Sequence, residues 1–174
     1  TKVSIPDSVT SIGYGAFEYC SSLKSVTIPK SVTSIGNDAF YGCSGLTSLT
    51  IPDKVTTIGN SAFEKCTNLA SVKLGNGHTT IGEFAFNSCD NLVSVEFGNN
   101  LVSIGESAFR YCRKLTSAIL PNSVTSIGKS AFNTCTSLQR IVLPAGITTI
   151  EDYTLEHCLN LTSVAIPSSV TKVG

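Results

Sequence analysis

Long apolar runs are missing from this chain of 174 residues. No stretch approaches the roughly 20 consecutive apolar positions that a membrane-spanning helix requires. Charge is scarce too. Charged residues make up 14%, and 12 Lys and Arg balance 12 Asp and Glu, for a formal net charge of zero. That balance leaves no electrostatic footprint for nucleic acid or an anionic membrane, so neither is expected as a partner. No membrane insertion is expected in this segment. A secretory signal pattern is also absent, so no targeting segment assigns a compartment.

Catalytic sets are equally thin. The chain has two histidines, His78 and His157, far apart in sequence. Serine and threonine are plentiful, yet a hydroxyl without a neighbouring base is not a nucleophile. Aspartate and glutamate are scattered, so no pair is expected to be held at an acid–base separation. The recurrent Ile-Gly dipeptide lacks the pattern of a phosphate-binding loop. The expectation is a chain that is not an enzyme, with no catalytic residues, no cofactor and no metal site.

What is there is repetition. The unit Leu23 to Gly45, LKSVTIPKSVTSIGNDAFYGCSG, recurs along the whole chain with a period of 23 residues. Cys20, Cys43, Cys66, Cys89, Cys112, Cys135 and Cys158 mark the period, and Leu23 through Leu161 repeat it. Pro6, Pro29, Pro52, Pro121, Pro144 and Pro167 do the same, with Gly75 and Gly98 in the two gaps. A fixed period of this length signals a solenoid, in which each unit buries its core against its neighbours. The division is a single solenoid over 1–174: a partial repeat 1–22, full repeats 23–45, 46–68, 69–91, 92–114, 115–137 and 138–160, and a partial repeat 161–174. Both ends cut through a unit without a polar cap, so the chain is expected to be a piece of a longer protein. Uncovered ends also raise the expectation of end-to-end self-association.

Within a unit, Val26 and Ile28 alternate with Thr27 as in a short strand with one buried face. Proline follows and ends the strand's pairing, since it has no N–H to donate. Val32 to Ile35 reads as a second extended segment. Gly36 is expected to take a positive φ at the next corner, and Ala39-Phe40 to Cys43 to form one or two helical turns. The last corner, at Gly45, Asn68, Asn91 and Asn160, is expected to be left-handed. The unit around Ile150 to Leu155 loses Gly, Ala and Phe together, so a looser corner is expected there. His78 stands where other units have Val, Leu or Ile, a substitution tolerated near the surface.

Seven cysteines at one phase of a repeat do not read as a disulfide framework. Stacked coils would set them roughly 5 Å apart, the spacing of paired strands. Parallel side chains rarely point correctly for a bridge, and a straight column cannot supply a tetrahedron of zinc ligands. A ladder of buried thiols acting as small apolar groups is expected.

The pattern L-x-x-V-x-I-P-x-S-V-T-S-I-G-x-x-A-F-x-x-C, over essentially all 174 residues, resembles the BspA-like, or Treponema-type, leucine-rich repeat of bacterial and protist surface proteins. The resemblance implies an α/β solenoid, strand-rich: a right-handed leucine-rich-repeat superhelix with short parallel strands on its concave side and short helices or helical turns. It also implies a cell-surface or secreted protein that adheres to host molecules or other cells.

Recognition then falls to the surface. The outward Ser25 column is almost constant: Ser25, Ser48, Ser71, Ser94, Ser117, Arg140, Ser163. The Thr27 column varies: Thr27, Thr50, Lys73, Glu96, Ile119, Val142, Ala165. Variation on a constant scaffold is where solenoids carry recognition, so Lys73, Glu96, Ile119, Arg140 and Val142 are the candidate protein-binding residues. A passive spacer or stalk is the alternative. Arg110, Arg113 and Lys114, with Tyr111 between, form a dense basic cluster whose default reading is a solvated corner. Asn160-Leu161-Thr162 matches a glycosylation sequon, but Leu161 belongs to the core.

Overall fold

Each repeat is one turn of a parallel-strand solenoid of about seven turns in the computed structural model, which describes residues 1–77 and 79–174. His78 lies outside the described residues. In chain order the strands are β1 (Lys2–Ser4), β2 (Ser11–Ile12), β3 (Ser25–Thr27), β4 (Ser34–Ile35), β5 (Ser48–Ile51), β6 (Thr57–Ile58), β7 (Ser71–Leu74) and β8 (Thr80–Ile81). Next come β9 (Ser94–Glu96), β10 (Ser103–Ile104), β11 (Ser117–Ile119), β12 (Ser126–Ile127), β13 (Arg140–Val142), β14 (Thr149–Ile150) and β15 (Lys172–Val173). Odd-numbered strands up to β13 are the first strands of their coils; the others are second strands.

Register equals period. In β5 and β7, Ser48 pairs with Ser71, Leu49 with Val72, Thr50 with Lys73 and Ile51 with Leu74, all parallel. Both strands alternate exposed and buried residues, so a slip by one position would turn every apolar side chain outward. Second strands β2, β4, β6, β8, β10 and β12 form one continuous six-stranded sheet. First strands pair in shorter groups: β1 with β3, β5 with β7 and β9, and β11 with β13. In the last, partial repeat, Ser163 to Ala165 form no strand.

The core runs as columns along the axis. Phe17, Phe40, Phe63, Phe86, Phe109 and Phe132 stack face to face, with successive ring centroids 5.0, 5.1, 5.3, 5.2 and 5.4 Å apart. Coil spacing enforces that offset, within the range that favours aromatic pairs. Leu and Ala columns lie beside the rings, fully buried in the central coils.

The third side departs from expectation: no helix forms there among the described residues. Its N–H groups alternate between two acceptors. Asp38, Phe40 and Gly42 donate to Asn60, Ala62 and Glu64 of the next coil, at 2.9, 2.8 and 2.8 Å. Tyr41 and Cys43 donate three residues back within their own coil, to Asp38 and Phe40, at 3.0 and 3.1 Å. A helix would direct every N–H along its own axis; here half of them tie one coil to the next. Two residues per coil also sit in the left-handed region, such as Ser61 (φ 52°) and Lys65 (φ 58°), which interrupts any helical run.

Two corners differ as well. Gly36 does not have a positive φ; a Cβ there would lie 2.8 Å from the backbone of Gly13, and one on Gly59 2.5 Å from the Asn37 nitrogen. Glycine serves close approach of coils rather than left-handed backbone. Gly45, Asn68, Asn91 and Asn160 are likewise not left-handed. Instead, the Asn91 amide donates to the Thr67 carbonyl at 2.8 Å. The divergent unit keeps its turn: Thr154 fills the Ala column at 3% exposure, its hydroxyl donating to Glu151 O at 2.7 Å.

Candidate functional site

The outward face of the first strands is built by alternation. Leu49, Val72 and Ala118 point into the core, which turns Thr50, Lys73 and Ile119 out on the same strands. Parallel pairing then brings the variable column together. Thr50 partners Lys73, Lys73 partners Glu96, and Ile119 partners Val142.

Lys73 Nζ lies 2.8 Å from Glu96 Oε1, with side chains 59% and 66% exposed. Solvent and salt screen such a pair, so its worth to stability is at most about 1 kcal/mol. Ile119, one coil further, is 55% exposed. An open depression of about 580 Å³ crosses these strands, lined among others by Thr50, Lys73, Glu96, Phe97 and Ile119. Three of the five candidates therefore share one depression. Arg140 and Val142, on β13, do not line it and extend the same face beyond Ile119.

Phe97 was not legible as part of this surface. It occupies a column otherwise held by Ile or Leu, and its ring meets Phe109 edge-on at 5.7 Å. Half-buried, it forms part of the depression. Its size in a column of aliphatic residues was the available signal.

The thiol ladder is interior from Cys43 to Cys135, while Cys20 is exposed and Cys158 half-buried at its ends. All seven cysteines are free. Cys66, Cys89 and Cys112 donate their S–H to the carbonyls of Phe40, Phe63 and Phe86, each at 3.3 Å. Burial pushes the Cys43 and Cys158 thiols up to about 11 and the central ones higher still. A protonated, buried thiol is a poor nucleophile and a poor metal ligand. Among the described residues no group of three or more His, Cys, Asp or Glu side chains converges to hold a metal ion. His157 is exposed beside Glu156, with Nε2 3.8 Å from Oε1. Also among the described residues, no helix is long and apolar enough to cross a membrane.

The model of the BspA type leucine-rich repeat region matches six copies, over residues 1–114 and 68–174. The chain belongs to the BspA-type leucine-rich repeat family. Solved structures of leucine-rich repeat proteins resemble it in shape. A leucine-rich repeat protein from Bacteroides ovatus is 28% identical with a TM-score of 0.74, covering 97% of this chain and 49% of its own. The T. pallidum leucine-rich repeat protein is 31% identical with a TM-score of 0.72, covering 99% and 72%. A leucine-rich cell surface protein from Faecalibacterium prausnitzii is 28% identical with a TM-score of 0.64, covering 94% and 59%. This BspA-type chain thus spans about half the length of the first of these and under two thirds of the third. No curated protein sequence matches it.

Proposed function

We propose that this chain is a non-enzymatic protein-binding or adhesion module of a surface-exposed or secreted protein, recognising its partner through the outward face of the first strands. The depression of about 580 Å³ that joins Lys73, Glu96 and Ile119 carries the reading. It lies on a column that varies more than the neighbouring serine column, over a core that barely changes from coil to coil. An ion pair beside an exposed isoleucine offers a partner both charge selectivity and apolar area to bury. The cell surface protein of F. prausnitzii supports the placement. Binding to an arrayed panel of extracellular proteins tests the reading. Lys73→Gln and Ile119→Arg are expected to weaken any captured partner at least about tenfold, roughly 1.4 kcal/mol, with the thermal midpoint little changed. Equal binding by both variants contradicts it.

A second reading, a passive spacer or stalk, draws on the unbroken six-stranded sheet of second strands. It predicts no saturable binding by the unaltered protein.

A further inference from the structure

Outside the strand face, at the corner leading into β11, Arg110, Tyr111, Arg113 and Lys114 fall within five consecutive residues. The Tyr111 ring gathers two guanidinium groups, with Arg110 Cζ 4.6 Å and Arg113 Cζ 5.0 Å from its centroid. Arg110 Nη2 donates to the Tyr111 hydroxyl at 2.9 Å, while its Nε is shielded from solvent and has no acceptor among the described residues. Arg113 Nη1 pairs with Asp90 of the preceding coil. Lys114 is exposed and makes no ion pair among the described residues. Two cations are thus held in place by one ring, and a third stands free beside them.

The surroundings define the partner. At the matching columns, the preceding coil carries Asn87, Ser88, Asp90 and Asn91, and the following coil carries Asn133, Thr134, Thr136 and Ser137. One carboxylate stands against three cations, a local excess of positive charge in a chain of zero net charge. The remaining neighbours are hydroxyls and amides, groups that both donate and accept hydrogen bonds. They match the hydroxyls of a sugar ring, which Tyr111 can also meet with its ring face. Guanidinium forks suit sulfate and carboxylate oxygens.

We propose that the Arg110–Tyr111–Arg113–Lys114 corner binds an anionic polysaccharide, with the guanidinium groups on its sulfate or uronate anions and the flanking hydroxyls on its sugar ring. The site is separate from the strand face, so its test leaves the protein-binding reading untouched.

Fluorescence anisotropy with the whole 174-residue chain tests it, using a labelled heparin oligosaccharide, a labelled oligogalacturonate, labelled poly-L-glutamate and neutral dextran. Saturable binding of the heparin or galacturonate probe is expected, weakening as salt rises; which of the two binds tells sulfate from carboxylate. Arg110→Gln with Arg113→Gln should lower that affinity at least about tenfold. Tyr111→Ala keeps every charge but frees the guanidiniums, and should lower it about two- to fivefold, the size of an exposed cation–π contact. Lys24→Gln, on a different coil, should change nothing, and all variants should keep their thermal midpoint. The proposal is overturned if neither glycan binds, if Lys24→Gln costs as much as the paired arginine change, or if poly-L-glutamate binds as tightly as both glycans.

Discussion

Position by position, the same residue type carries different burdens along a column, and glycine shows this most plainly. A Cβ on Gly13, at the edge of the stack, would meet nothing within 4 Å, while one on Gly59 would lie 2.5 Å from backbone. Gly59→Ala should therefore cost about 1–3 kcal/mol through forced separation of two coils. Gly13→Ala should be close to neutral. Denaturant titration of the two variants checks the contrast, and equal effects would remove coil approach as the reason for the glycine column.

The thiols make a second residue-scale prediction. Folding raises the Cys43 and Cys158 pKa values from 9.0 to about 11 because burial disfavours the thiolate. An unfolded chain releases those protons first, so the native state holds more of them between pH 9 and 11. Stability from this source is fully present below pH 9 and is lost as pH rises toward 11. The unfolding midpoint should stay level to pH 8 and fall across that window. Cys43→Ala with Cys158→Ala should make the fall shallower without abolishing it, because the more deeply buried thiols are shifted further and contribute over the same window. A fall unchanged in the double variant would assign it to other groups.

Among the elements, the turn segment is the one whose character depends on neighbours. Alternate N–H groups reach the next coil, so the segment has no stable form of its own, and far-UV circular dichroism should show strand and turn without a helical double minimum. Spacing of Ala39, Phe40, Cys43 and Leu46 by one to four residues suits a helix and a chain of three-residue turns alike; only the inter-coil bonds distinguish them. Left-handed backbone at Ser61, Lys65 and Phe84 has no signature in those residue types either. The strands were readable because a period of 23 residues dictates register outright, as in the pairing of Ser71 with Ser94. Outward alternation likewise made Lys73, Glu96 and Ile119 readable as one face. The depression they share was not, since it depends on the bulk of Phe97 and on the first-strand ladder stopping between β9 and β11.

Taken as a whole molecule, the solenoid has no centre. Every coil meets only its neighbours, so stability should build from repeat and interface contributions along one axis. Phe86, flanked by Phe63 and Phe109 in the ring column, reports on two interfaces at once. Phe86→Ala should cost about 3–5 kcal/mol, the range for emptying a buried aromatic site, and the loss should spread to amide exchange in both adjacent coils. On such a scaffold the strand face and the basic corner can change their side chains without disturbing the columns within. The most direct test removes residues 69–91, one full repeat, and compares the product with a chain lacking only residues 69–80. Loss of the whole repeat brings Leu92 onto Leu46 and Cys89's neighbours back into register, so a cooperative unfolding transition is expected at a lower midpoint. The part-repeat deletion should abolish it. If both deletions unfold the chain alike, or both are tolerated alike, equivalent residues do not superpose from coil to coil and the account is wrong.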